Sequence, residues 1–316
     1  MQQRASNVAE RVASASKISD PHSDQPLSQR VEPADRRRQH AALTKYGVLA
    51  VMTMAALYFL IPIWWFVVAS TKNNGDLFST NAFWFSELHF FDNFRDLLTR
   101  QDGIFFRWMG NSFLYSIVGA VVSTAVSALA GYALAKYEFR GREAVFNTVL
   151  GATLMPIMLL TVPLYLLFSK IGIINTPWAV MIPLLISPFG IYLARIYAAT
   201  IPDELLEAGR VDGAGELRIF LSIGMKIMGP ALVTIFLLQF VGTWANYFLP
   251  MMMVSSPELQ PLSVGIVTWQ QTMVTGAAVP TNIVIFAAFI SVLPLIALFL
   301  TMQRYWKAGL TAGGIK

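Results

Sequence analysis

The chain has no cysteine. That excludes disulfides and thiolate metal sites outright. Its three histidines, His22, His40 and His89, do not fall at ligand spacing, so no metal centre is expected. Charge is scarce as well. Asp, Glu, Lys and Arg make up 13% of the 316 residues, hydrophobic residues 55%, and mean hydropathy is +0.56. A soluble domain carries roughly 25% charged residues, because it needs a wetted surface. This chain cannot cover a water-exposed globule of its size, so lipid must be part of its solvent. It lacks a Gly-x-x-x-x-Gly-Lys-Ser/Thr phosphate loop, and no Ser/His/Asp or paired-carboxylate arrangement suggests catalysis. The net charge of +5 and pI near 9.5 do not point to nucleic acid, since the basic residues lie mostly in short loops between apolar runs.

What is present is a series of charge-free stretches. Residues 46–71, 108–135, 144–169, 171–194, about 228–250 and about 283–302 each supply the roughly 20 apolar residues that cross about 30 Å of hydrocarbon. Without a closed barrel only helices can do so, and the predicted fold class is an all-α integral membrane protein of about six transmembrane helices. Residues 1–43 are polar, without apolar periodicity, and read as a disordered tail. Residues 44–304 form the six-span domain, with a loop at about 200–228, and residues 305–316 a second tail. With the N-terminus inside, inner segments hold 18 Lys and Arg residues and outer ones 5. That asymmetry predicts cytoplasmic termini at both ends. Prolines at 62, 156, 163, 183, 188 and 294 are expected to kink the spans for packing. No charged residue lies inside a predicted span, which argues against ion-coupled transport.

The loop between the fourth and fifth spans carries the most information. Pro202 suits a helix start, Asp203 and Glu204 complement the positive end of the macrodipole, and Gly213 is a natural stop. This predicts a short helix of about three turns, roughly 16 Å long, with Ala208 and Gly209 forming a surface open to close approach by another backbone. Beyond it, Ile219, Phe220, Ile223 and Ile227 make an apolar stripe, with Arg218, Ser222 and Lys226 on the opposite side.

Glu207, Ala208, Gly209, Arg210, Val211, Asp212, Gly213 and Ala214, followed by Phe220, Ile223 and Pro230, resemble the EAA loop of bacterial ABC importer permeases. Gly209 stands where that family usually has Ala, and Lys226 where it often has Pro. Asn111-Ser112-Phe113, the run from Gly131 to Tyr137, Phe139-Arg140-Gly141, Pro163-Leu164-Tyr165 and Trp244-Ala245-Asn246 with Pro250 are similar to other parts of the same permeases. The C-terminus, Gly309-Leu310-Thr311-Ala312-Gly313-Gly314-Ile315-Lys316, is similar to the tail of the six-span maltose-type permease, which points to the carbohydrate-uptake branch.

The resemblance implies the type I ABC importer permease fold and a non-catalytic translocation subunit in a prokaryotic inner membrane. Glu207, Ala208, Gly209, Asp212, Gly213 and Ala214 would form the helix that docks on an ATPase. Gly309, Leu310, Thr311, Ala312, Gly313 and Gly314 would contact the same ATPase. Partners implied are a paralogous permease chain, two ATPase subunits binding ATP and Mg, and an extracytoplasmic solute-binding protein reached through the outer loop at about 251–282. Gln239, Trp244, Asn246 and Tyr247 give the fifth span a polar and aromatic side suited to sugar hydroxyls and ring faces; helix–helix hydrogen bonding is the competing use of the same residues. Two other functions remain open at this point. One is a permease of the same fold for phosphate, an amino acid or a glycerol phosphate. The other is a membrane-embedded enzyme, which would need convergent polar groups at a membrane face.

Overall fold

The computed structural model describes residues 34–274 and 279–312. Among the described residues there are helices and turns but no strand. The chain divides into two units, Met1–Ile63 and Trp64–Lys316. The first holds most of helix α1 (Ala34–Ser70). This helix starts after Pro33, ten residues ahead of the expected boundary, because Ala34 and the residues following it include no helix breaker until Gly47. From Tyr46 to Ile63 its apolar side chains, Tyr58 and Phe59 among them, are exposed, as those of a lipid-facing span are, while Val68 and Ala69 near its end are buried.

The second unit contains α2 (Asn74–Ser79), α3 (Phe90–Thr99), a 3-10 turn at Arg100–Gly103, and the long α4 (Ile104–Lys136). Then come α5 (Arg142–Thr153), α6 (Ile157–Lys170), α7 (Pro177–Met181), α8 (Pro188–Ala199), α9 (Asp203–Val211), α10 (Glu216–Ile219), α11 (Met225–Ile227), α12 (Gly229–Trp244), α13 (Phe248–Met253), α14 (Leu262–Val274) and α15 (Thr281–Ala312). Among the described residues, four helical stretches are long and apolar enough to cross a bilayer: Lys45–Ser70, Phe90–Lys136, Pro177–Ala199 and Thr281–Gln303. Two bent pairs raise the number to six if each is one span.

The expected third span is one of these pairs. α5 and α6 meet at 101° rather than forming one rod. Pro156 has no N–H to donate and disfavours the helical region at Met155, so the helix stops at the residues before it. The fourth span begins at Pro177 rather than 171, because Gly172 (φ 74°) and Asn175 (φ 60°) hold 171–176 in a turn. The fifth is α12, met at 78° by the helical segment before it. The last helix continues to Ala312, so Gly309, Leu310, Thr311 and Ala312 are helical; Gly313 and Gly314 lie outside the described residues.

Lipid tails are as apolar as leucine, so spans associate through close packing rather than by escaping water. α4 supplies that packing with a stripe of small buried residues that includes Ser116, Ala120, Ser123, Ser127 and Gly131. A Cβ at Gly131 would lie 2.5 Å from Ala194 Cβ and 2.6 Å from the Arg195 backbone nitrogen; one at Gly190 would lie 2.5 Å from Ser127 Oγ. α4 and α8 therefore touch backbone to backbone. At the other end of the unit Lys72 is fully buried, its Nζ donating to Thr80 Oγ1 (2.8 Å) and Asn81 O (2.6 Å). Asn93 donates to Ser70 O and Lys72 O, and accepts from Asn282. This polar knot satisfies a buried ammonium that would otherwise be very costly.

Candidate functional site

α9 is nine residues long and follows Pro202 at its N-cap, whose backbone is extended (ψ 133°). Asp203 and Glu204 occupy the first turn and Arg210 the last, the charge order that suits the macrodipole. The helix ends in a Schellman motif. Gly213 takes φ +76°, its N–H donates to Arg210 O (3.0 Å), and the Ala214 N–H reaches back to Gly209 O (3.0 Å). Glycine is the residue that adopts this left-handed turn without a Cβ penalty.

One side chain of α9 faces inward. Leu206 is buried in a cluster with Tyr132, Ile201, Ile219 and Phe220, worth about 2 kcal/mol in apolar burial. Glu204, Leu205, Glu207, Ala208, Val211 and Asp212 are exposed, with Val211 87% so. Glu207 makes no hydrogen bond or ion pair among the described residues. Exposed leucine and valine beside an unpaired carboxylate, outside any span, make a surface suited to a protein partner.

Gly209 does not belong to that surface as expected. It faces its own chain, where an added Cβ would lie 3.2 Å from Ile219 Cγ1. The alanine usual here would press on Ile219, and its absence lets α9 settle onto α10. So the close-approaching side chain is supplied internally, while Ala208 stays open. The amphipathic stretch after α9 divides nearly as its spacing predicts. Ile219 and Phe220 are buried, Ile223 is half-buried, and Arg218, Ser222 and Lys226 are exposed; Ile227 is exposed, at the edge of the stripe. A π-turn at Phe220–Gly224 puts Gly224 against the ring of Tyr132.

Residues not singled out from sequence as site residues hold α9 in place. Lys136, at the end of α4, donates from Nζ to Ile201 O (2.5 Å) and to Asp203 Oδ1 (2.7 Å). Glu216 takes Arg210 Nε on Oε1 (2.7 Å) and the Tyr137 hydroxyl on Oε2 (2.7 Å). The Arg210 bond, then the Tyr137 bond, hold the Glu216 carboxyl below the usual carboxylate range. Burial, then the bond to Glu216, push the Tyr137 phenol up to about 12. A depressed carboxylate contributes stability above its ordinary range and loses it only as pH falls through its lowered value, so this clamp stays closed at any neutral pH. Nearby, Glu143 bonds Arg142 and Arg195, whose guanidinium lies 3.5 Å over the Phe146 ring. The sequence signal for Lys136 was visible: a basic residue closing a span, next to a tyrosine.

The residues predicted to line a solute path are engaged with their own chain. Trp244 is buried, stacked on Phe240 and edge-on to Phe113, and its indole donates to Ser291 O (3.2 Å). Gln239 donates to Leu184 O (3.0 Å). Asn246 accepts from the Leu249 N–H through Oδ1 and from Ser263 through its carbonyl. Tyr247 is half-buried. Packing and helix joining are thus the roles visible for Trp244, Gln239 and Asn246. No group of His, Asp and Glu among the described residues could hold a metal ion.

Residues 123–311 match the family described as binding-protein-dependent transport system inner membrane component. The arabinooligosaccharides transport system permease protein of Halalkalibacterium halodurans is 36% identical over 225 residues, covering 71% of this chain and 79% of that protein. The lactose transport system permease protein of Rhizobium radiobacter is 27% identical over 280 residues, 89% of this chain and 98% of its own length. Among solved structures, a chain of a bacterial ABC transporter involved in import of the acidic polysaccharide alginate superposes with a TM-score of 0.68. It is 23% identical, and the alignment covers 89% of this chain and all of that one. At that identity the likeness concerns the fold.

Proposed function

We propose that this chain, which belongs to the family of binding-protein-dependent transport system inner membrane components, is the translocation subunit of an ATP-driven importer for a sugar or oligosaccharide. The observation that carries the sugar reading is the set of relatives aligned over most of both chains, named for arabinooligosaccharides and lactose. The chain is a multi-pass, non-catalytic membrane protein. ATP and Mg would be bound by two partner ATPase subunits, a paralogous permease would complete the pore, and an extracytoplasmic binding protein would deliver the solute. A solved complex of the alginate transporter with a periplasmic protein, which shares this fold at a TM-score of 0.59, supports the last partner.

Within this reading α9 is the ATPase-docking helix. Its exposed face, with Glu204, Leu205, Glu207, Ala208, Val211 and Asp212 on a short rigid rod, supports that role. Gly213 and Ala214 act by ending the helix, and Gly209 by seating it. ATP-driven closure of the ATPases would move α9 and shift the pore between two states. The C-terminal residues from Gly309 to Gly314 would add a second ATPase contact. Of the alternative cargoes (phosphate, an amino acid or a glycerol phosphate), the anionic ones are less favoured, since an anion calls for a basic residue near the path and no Lys or Arg lies inside a predicted span of this chain.

Affinity purification through this chain is expected to bring down a second permease and an ATPase, identified by mass spectrometry. The reconstituted complex should take up labelled arabinooligosaccharide or lactose only with ATP. Purification of this chain alone, with no ATP-dependent uptake of either sugar, would defeat the reading.

Orientation is tested separately, and the absence of native cysteine makes this direct. With both termini cytoplasmic, Asp20→Cys and Ala312→Cys should resist an impermeant thiol reagent applied to intact cells. Phe78→Cys, 75% exposed and between Lys45–Ser70 and Phe90–Lys136, should label. Labelling at 20 or 312 from outside would reverse the topology.

A further inference from the structure

We propose that α4 is a strut that positions the irregular segment 254–262, which includes a 3-10 turn at Pro257–Leu259, at one end and the start of α9 at the other, carrying a displacement of either to the other. Four side chains of one α4 stripe, at i, i+3, i+4 and i+7, grip the segment's backbone. Trp108 Nε1 donates to Pro257 O (2.8 Å), Asn111 Nδ2 to Glu258 O (2.7 Å) and Gln260 O (2.9 Å), and the Tyr115 hydroxyl to Leu259 O (2.9 Å). Ser112 Oγ accepts from the Leu262 N–H (2.8 Å). On the segment's other side Asn175 Oδ1 accepts from the N–H groups of Ser255 and Ser256. A Cβ at Gly265 would lie 2.2 Å from the Trp108 ring, so α14 also presses directly on α4. Seven backbone groups of this segment, four carbonyls and three N–H groups, are thus held by side chains.

From Trp108 to Lys136 the axis covers roughly 42 Å. Over that length α4 has no break and no proline. The other candidate spans all differ. Lys45–Ser70, Pro177–Ala199 and Thr281–Gln303 contain proline, and the remaining two are bent pairs. Prolines remove a ladder hydrogen bond and are where helices kink. α4 is also locked to α8 through the Gly131–Ala194 and Ser127–Gly190 contacts, and α8 leads into α9 through residues 200–202. At its far end Lys136 ties Ile201 O, at the negative end of α8, to Asp203, the first residue of α9. A push on residues 257–262 therefore meets a stiff path to residues 201–203.

The inference takes its functional meaning from the reading of α9 as the docking helix. Its test does not depend on that reading, because it uses neither ATP nor solute. The full chain with its co-purifying subunits, in lipid nanodiscs, is compared by amide hydrogen exchange with three variants. Asn111→Leu removes the donor to Glu258 and Gln260 at similar volume, and should speed exchange at 203–214 roughly fivefold or more, the size of a usual coupling. Lys136→Met should do the same at 258–262, because coupling between two sites is reciprocal, and Lys136→Arg should restore the original rates. Exchange that rises only beside each substitution overturns the proposal. So does a rise that also takes in α6, since that effect would be global rather than carried by α4.

Discussion

Glu207→Lys is expected to lower ATP-driven uptake at least about tenfold while leaving the chain in the membrane at normal yield. Glu207 is exposed and bonded to nothing among the described residues, so its replacement costs the isolated chain little; surface changes of this kind usually stay within about 0.5 kcal/mol. A cost appears only against a partner. Removing one member of a buried interfacial charge pair costs about 2–5 kcal/mol, and even 1.4 kcal/mol is a factor of about ten in binding. Gly213→Pro should match it by a different route. Proline cannot adopt φ +76° and has no N–H for Arg210 O, so the helix stop is lost and α9 is misdirected. Uptake in proteoliposomes and the amount of co-purified ATPase are the readouts. Normal uptake in both variants would remove α9 from the coupling role.

The second large effect concerns folding rather than coupling. Gly131→Ala should sharply destabilise the chain, measured as thermal melting in detergent and as protease resistance. The new methyl would lie 2.5 Å from Ala194 Cβ and 2.6 Å from Arg195 N, and backbone cannot move aside as a flexible side chain can. Overpacking of this kind costs about 1–3 kcal/mol and occasionally more. Ala194→Gly in the same chain should recover part of the loss, since it clears the side-chain clash but not the one with Arg195 N. A Gly131→Ala chain that melts like the parent would mean that α4 and α8 do not meet this closely.

The parts of this molecule legible from sequence are those set by local chemistry. Charge-free runs marked the spans because ionic groups are excluded from hydrocarbon, and Pro202, Asp203 and Gly213 marked both ends of α9 because each acts on its own turn. The stripe of Ile219, Phe220 and Ile223 was readable for the same reason. What was not legible depends on residues far apart in the chain. Asn111 bonds carbonyls 147 and 149 positions away, and nothing near Asn111 announces that. Gly209 looked like open surface because Ile219, which fills the space over it, comes from the next helix. Pro156 was identified, but not that its helix would turn by 101°, since the angle is decided by what α5 and α6 pack against. Trp244 and Asn246 have the chemistry of a sugar site, and their bonds to Ser291 and Ser263, from later helices, could not be read from the residues around them.

The grip of α4 on residues 257–262 also has a consequence during synthesis. α4 leaves the ribosome about 150 residues before the segment it binds. At about 5–20 residues per second, that is an interval of roughly 7–30 s. Throughout it, Trp108, Asn111, Ser112 and Tyr115 have no carbonyls or amides of 257–262 to pair with, and a nascent chain stopped short of residue 257 never supplies them. Such a chain leaves the donors of Trp108, Asn111 and Tyr115 and the acceptor of Ser112 without the partners that the finished protein gives them.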